Sequence, residues 1–203
     1  MKKIETVIFD LGGVLIDWNP DYVYKTIFED EKKMNDFYAE ICTSAWNEEQ
    51  DGGRSLKEAT EELVGRFPDH EANIRAYYGR WEEMLKGPIE GTVEILKEIK
   101  LRNQVKLYAL TNWSAETFPV ALERFEFLHW FDGRLVSGEE RMRKPFPEIY
   151  QLLVRRFNID PHTAVYIDDN DRNLSAPKQM GIETIHFNNA ADLRQVLKEL
   201  GVL

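Results

Sequence analysis

The sequence predicts an α/β protein: a mostly parallel sheet layered with helices, with an all-helical segment inserted after the first strand. Three observations predict it. Short apolar, β-branched runs stop abruptly at Asp, Asn or Gly, as strands buried on both faces of a parallel sheet do. Helical periodicities lie between those runs, and that alternation is the mark of the α/β class. Residues 18–87 break the alternation and show helical faces only. The 203 residues suit one domain carrying a sizeable insertion, since domains run to ~100–200 residues.

The first strand is Thr6-Val7-Ile8-Phe9, stopped by Asp10-Leu11-Gly12-Gly13. Three apolar faces follow: Ile27, Met34, Phe37/Tyr38 and Ile41; then Leu56, Ala59, Leu63 and Phe67; then Ile74, Tyr77/Tyr78, Trp81 and Met84/Leu85. Ser55, with Glu58 three residues on, makes a capping box for the second. The chain enters the insertion near Asp17, a structural residue in this reading, and leaves near Gly87-Pro88. The expected division is a core of residues 1–17 and 88–203 and a helical domain of residues 18–87. Val93, Leu96 and Ile99 trace the next helix, with Thr92 as its N-cap. Val105 to Leu110 is a strand ending in Thr111-Asn112, and Ser114 caps a helix through Phe118, Leu122 and Phe125. Gly133 to Ser137 is a weaker strand. Pro147 suits a first helical position ahead of Ile149, Tyr150, Leu153 and Phe157. Ala164 to Ile167 ends in Asp168-Asp169-Asn170, and Ile182 to Phe187 in Asn188-Asn189. A helix on Leu193, Val196, Leu197 and Leu200 stops at Gly201.

Charge and cysteine usage narrow the function. With 26 bases and 36 acids the chain carries −10, the wrong sign for nucleic acid or an anionic membrane as principal partner. The helical insertion holds 16 acids and 9 bases, a net of −7. One cysteine, Cys42, excludes an intrachain disulfide and a multi-cysteine metal site. Met1-Lys2-Lys3 resembles a signal-peptide start, but Glu5 and Asp10 cut the apolar stretch behind it. No window reaches the ~18 apolar residues of a membrane span. A soluble, cytoplasmic protein is expected.

Ligands of open α/β sheets bind beyond the carboxyl ends of the strands. Those ends carry Asp10, Thr111-Asn112 and Asp168-Asp169-Asn170, to which Lys144 of Arg143-Lys144-Pro145 is added. Taken singly, Asp10 is as readily a turn former, Thr111 a cap and Lys144 a surface lysine. Adjacent carboxylates ending an apolar strand are costly without a cationic partner. Oxygen ligands without His or Cys select a hard cation, which favours Mg²⁺ over zinc.

Phe9-Asp10-Leu11-Gly12-Gly13-Val14-Leu15, Leu110-Thr111-Asn112, Arg143-Lys144-Pro145 and Ile167-Asp168-Asp169-Asn170 resemble, in order and spacing, the four motifs of the haloacid dehalogenase superfamily. The resemblance spans the chain, its helical insertion matching the family's cap. It implies a Rossmann-like core, with Asp10 as a nucleophile that forms an aspartyl-phosphate. Thr111 and the backbone N–H groups of Leu11, Gly12 and Gly13 would hold the phosphoryl oxygens, with Asn112 and Trp113 beside the substrate. Lys144 would neutralise charge. Asp169, Asp10 and the Gly12 carbonyl would bind Mg²⁺, with Asp168 a direct or water-mediated ligand. The partner implied is a small phosphorylated metabolite, a sugar phosphate among the options; oligomeric state is not legible.

One position departs from the pattern. The family's phosphatases usually carry a second aspartate two residues after the nucleophile, as general acid and base, and here that position is Gly12. The lost group is worth roughly 10²–10⁴ in rate. The expectation is a phosphatase biased toward good leaving groups, unless a cap carboxylate or a bound water replaces the acid. Gly12 is also compatible with a metal-free 2-haloacid dehalogenase or with a silent binding protein. Asp168-Asp169 argues against the first, because a metal-free site for an anion has no use for two more negative charges. The retained Asp10, Thr111, Lys144 and Asp169 argue against the second. Gln50-Asp51-Gly52-Gly53-Arg54 resembles the family's substrate-specificity loop and is equally a plain turn, with Arg54 an exposed arginine. Trp46 lines the pocket or belongs to the cap core. Asn173 orients Asp169 or caps a helix. No histidine is given a catalytic role.

Overall fold

In the computed structural model, which describes residues 3–203, β1 (Thr6–Phe9) and a short β2 (Ile16–Trp18) precede the cap helices. Those are α1 (Asp21–Tyr24), α2 (Glu31–Glu40), α3 (Ser44–Asp51), α4 (Leu56–Arg66) and α5 (Glu71–Gly79). The chain returns through β3 (Leu85–Pro88), then α6 (Glu90–Arg102), β4 (Lys106–Thr111), α7 (Phe118–Arg124), β5 (Gly133–Val136), α8 (Ser137–Glu140) and α9 (Pro147–Phe157). It ends with β6 (Ala164–Asp168), α10 (Ser175–Gln179), β7 (Glu183–His186) and α11 (Ala190–Glu199). Met1 and Lys2, which begin the stretch resembling a signal peptide, lie outside the described residues. None of the described helices is long and apolar enough to cross a membrane.

Five strands form one sheet in the order β5-β4-β1-β6-β7, every neighbouring pair parallel. β1 lies at the centre, and its Phe9 pairs with Ala109 on one side and Ile167 on the other. That register brings Asp10, Thr111 and Asp168 to the same carboxyl edge. Both faces are buried, with side chains alternating as a strand's period of two demands. Ile8, Tyr108, Leu110 and Tyr166 pack with α9, while Val7, Phe9, Ala109 and Ile167 join the core on the opposite face. That second core continues without a break into the cap through Tyr24, Phe37, Trp46 and Tyr77.

Core and cap are joined by an antiparallel ribbon in which Asp17 of β2 pairs with Gly87 of β3. Both Asp17 carboxylate oxygens accept from the Tyr22 hydroxyl, at 2.9 and 2.8 Å. A ribbon of three and four residues is too short to show a period, so helical patterning masks it in the sequence. The cap holds two further helices, the short α1 and α3, which the three apolar faces omit. Helix starts also differ. Ser55 caps α4 through the Glu58 amide, but α6 begins at Glu90, ahead of Thr92, whose hydroxyl is buried without a partner among the described residues. Ser114 forms a turn onto the Glu116 amide, and α7 starts only at Phe118.

Candidate active site

Asp10 follows the central strand directly. Its amide donates to the Ile167 carbonyl at 2.8 Å, continuing the ladder one residue past β1. Oδ1 accepts from the Leu11 amide at 2.7 Å and from Lys144 Nζ at 2.9 Å. Oδ2 makes no such bond among the described residues. Lys144 is only 1% exposed. Its Nζ lies 2.7 Å from Asp168 Oδ2 and 3.4 Å from the Leu110 carbonyl. The lysine is held through its main chain: Asn112 Oδ1 accepts from the Lys144 amide at 2.8 Å, and Asn112 Nδ2 donates to its carbonyl at 3.0 Å. The Lys144–Pro145 peptide is cis. Asn112 was expected beside the substrate; it lines the pocket, but its amide group is committed to placing Lys144.

Asp168 is fully buried and saturated. Oδ1 accepts from the Asn170 amide at 2.8 Å and from Asn173 Nδ2 at 3.0 Å, while Oδ2 takes Lys144, Asn173 and the Tyr166 hydroxyl. Asn173 therefore orients Asp168 and not Asp169. Asp169 is exposed, with its carbonyl 3.0 Å from His186 Nε2. Asp10, Asp168 and Asp169 each offer an oxygen within 4.8 Å of the others, a grouping able to hold a metal ion.

The loop that makes this possible is Leu11-Gly12-Gly13. Gly13 has φ +74°, and a Cβ there would fall inside the Asp169 carboxylate. Gly12 has open space where a Cβ would stand. The Leu11 amide is taken by Asp10 and the Gly13 amide by the Ile16 carbonyl at 2.9 Å. Among the described residues the Gly12 amide makes no such bond, so of the three loop amides expected to face a phosphoryl group two are already engaged. Thr111 ends β4, 1% exposed, at the same edge.

The cluster's charges are strongly interdependent. Burial raises the Asp10 carboxyl most, Lys144 opposes it, and repulsion from Asp168 and Asp169 leaves it pushed up to about 8. Burial also pulls Asp168 upward, but Lys144, the Tyr166 hydroxyl and the Asn170 amide prevail and hold it below its ordinary value. Lys144 is held above its usual range, since Asp10 and Asp168 outweigh the burial that favours its neutral form. Asp169, though exposed at its rim, has neighbours that strip part of the water from its carboxyl, and this with repulsion from Asp168 raises it.

Above this edge lies a pocket under the cap, lined by Gly12, Asn112 and Trp113 from the core and by Trp81, Tyr78 and Asp51 from the cap side. Trp113 is 6% exposed, and its indole N–H has no partner among the described residues. Trp46 stays in the cap core against Tyr77 and Tyr78. Arg54 is bound to Glu49 and Glu62 and is not among the residues lining this pocket. Three roles escaped the sequence reading: that of Asp51 on α3, met there only as a member of the Gln50–Arg54 loop, that of Tyr166 on Asp168, and that of His186 on the Asp169 carbonyl. Tyr166 carried a signal, being two residues before Asp168 on one strand face; the other two depend on packing between distant segments.

A buried lysine shared by two aspartates, with a third at the carboxyl edge of a parallel sheet under a helical cap, defines the class. The chain belongs to the haloacid dehalogenase-like hydrolases, whose family model matches residues 4–181. It is 30% identical over 193 residues to a phosphorylated carbohydrates phosphatase of Thermotoga maritima, covering 90% of this chain and 84% of that one. It is 25% identical to a sesquiterpene phosphatase of Aspergillus oryzae, over 97% and 96% of the two chains. Among solved structures, a magnesium complex of a family enzyme from Bacteroides thetaiotaomicron superposes with a TM-score of 0.75 at 22% identity, over 97% of this chain and all (100%) of the other.

Proposed function

We propose that the protein is a Mg²⁺-dependent phosphomonoester hydrolase that works through an aspartyl-phosphate on Asp10, with a small phosphorylated metabolite such as a sugar phosphate as substrate. The observation that carries this is Lys144 Nζ, 2.9 Å from Asp10 and 2.7 Å from Asp168 in a buried setting. The lysine neutralises one charge of the three-aspartate group, and the remaining negative charge and all-oxygen donor set match a hard divalent cation. Asp10, Asp169 and the Gly12 carbonyl would hold Mg²⁺. Asp168, with every oxygen already engaged, would reach it through water. Bound there, the ion would supply charge neutralisation on the transferring phosphoryl group.

The remaining chemistry belongs to the chain. Lys144 keeps Asp10 Oδ1 occupied, which leaves Oδ2 as the attacking oxygen. The Gly12 amide and the Thr111 hydroxyl receive phosphoryl oxygens. Trp81 and Trp113 form part of the pocket wall beside the phosphoryl group's position. Such positioning and charge stabilisation are most of what phosphoryl transfer requires. The carbohydrate-phosphate phosphatase among the relatives supports the substrate class. Phosphate release from p-nitrophenyl phosphate should require Mg²⁺, stop with EDTA and vanish in Asp10→Asn. Release that persists in Asp10→Asn, or that ignores EDTA, overturns the reading.

A further inference from the structure

We propose that Asp51, at the carboxyl end of cap helix α3, is the general acid and base of the reaction, supplying from the cap the carboxyl that position 12 lacks. The inference rests on the phosphatase reading above and adds the group that protonates the leaving oxygen. Asp51 lines the same pocket as Gly12, Asn112 and Trp113. The pocket has a volume of about 90 Å³, several times the ~10–15 Å³ one water needs. The open space on Gly12, where the family's usual carboxylate would project, leaves room there for a leaving group.

Asp51 is fixed from both domains. Its carbonyl accepts from Ser137 Oγ at 2.5 Å, and the same Oγ accepts from the Trp113 amide at 2.9 Å. Its Oδ2 lies 3.3 Å from Asn47 Nδ2 on the preceding turn. One turn back, Glu48 grips Arg143 and Arg172, each at 2.6 Å, on the loops that carry Lys144 and follow Asp169. Those contacts run between cap and core and hold this end of α3 at the pocket. Burial, then Glu48, raise this carboxyl against Arg143, Lys144 and the Ser114 amide, pushing it up to about 7; from α5 it faces the phenols of Tyr77 and Tyr78. A near-neutral carboxyl suits both halves of the reaction.

In the first half, Asp10 Oδ2 bonds to phosphorus, the ester P–O bond breaks, and the departing oxygen takes the Asp51 proton. In the second, a water oxygen bonds to phosphorus while its proton passes to the Asp51 carboxylate. The bond from Asp10 to phosphorus then breaks, restoring the Asp10 carboxylate and releasing phosphate.

The test is a leaving-group series of p-nitrophenyl, phenyl and benzyl phosphates with Asp51→Asn in saturating Mg²⁺. p-Nitrophenolate leaves without a proton, so its kcat/KM should fall far less than that of benzyl phosphate, and a far-UV circular dichroism spectrum matching that of the unaltered protein shows the variant folded. Benzyl phosphate should lose ~10²–10⁴-fold, the usual contribution of an acid. Its kcat/KM in the unaltered protein should fall as pH rises above neutrality, and that limb should be missing in Asp51→Asn. Equal losses across the series, or benzyl phosphate turnover left intact, overturn the proposal. A protein inert toward p-nitrophenyl phosphate in Mg²⁺ would instead overturn the phosphatase reading beneath it.

Discussion

Gly13 shows how one residue's backbone sets the site. Its φ of +74° is left-handed, and the Asp169 carboxylate occupies the space a Cβ would need. Left-handed backbone costs a residue with a Cβ roughly 1–2 kcal/mol, and here the added methyl must also displace a proposed metal ligand. Gly13→Ala should therefore lose about that much stability in urea unfolding. It should also weaken Mg²⁺ binding by roughly 10–100-fold in calorimetry, as disturbed ligand supports do. Unchanged Mg²⁺ affinity would remove Asp169 from the ligand set. Gly12, one residue earlier, has the opposite geometry: no left-handed φ and nothing within 4 Å of a Cβ. Its lack of a carboxyl is therefore a chemical choice without steric cause. Gly12→Asp built on Asp51→Asn should restore benzyl phosphate turnover.

At the scale of elements, legibility followed burial. Strands enclosed on both faces read as unbroken apolar runs, and the residues just past them occupy one edge whatever the sequence between. Asp10, Thr111 and Asp168 could therefore be placed before any contact was known. Their partners could not. Nothing local shows that Asn112 would bind the Lys144 main chain, or that Asn173 would choose Asp168 over its neighbour. Helix α3 was hidden because its eight residues bury little beyond Trp46 and Gln50, too sparse a face for a period. That helix now yields a prediction. The Asp51 carboxyl has a folded value of about 7 against an ordinary 3.8. Between those values the folded state holds a proton that the unfolded state has lost, so stability falls as pH rises through this window and stays reduced above it. Asp51→Asn removes the penalty. Its melting temperature should exceed that of the unaltered protein at pH 8 and approach it at pH 4, while benzyl phosphate turnover is lost. A gain in stability bought with activity is the expected trade at a working acid.

At the scale of the whole molecule, the proposed acid depends on contacts between cap and core. Core and cap share a continuous core and a short ribbon, but Asp51 reaches the pocket through contacts that span the two: Ser137 to its carbonyl, and Glu48 to Arg143 and Arg172. Most of the net charge of −10 lies in the cap, so the proposed anionic substrate would be drawn by Lys144 and the Gly12 amide and not by the overall field. Glu48 links the two properties, because it clasps the core and also repels the Asp51 carboxylate. Glu48→Gln should act on both. Partly exposed ion pairs are worth ~0.2–1 kcal/mol each, so losing two costs no more than about thirtyfold in kcat/KM. With the repulsion gone and Arg143 freed from its carboxylate, the Asp51 proton is held less tightly. The basic limb for benzyl phosphate should move to lower pH, while the p-nitrophenyl phosphate profile keeps its shape. A limb that stays in place in Glu48→Gln would mean that the proton lost on that side belongs to a group other than Asp51.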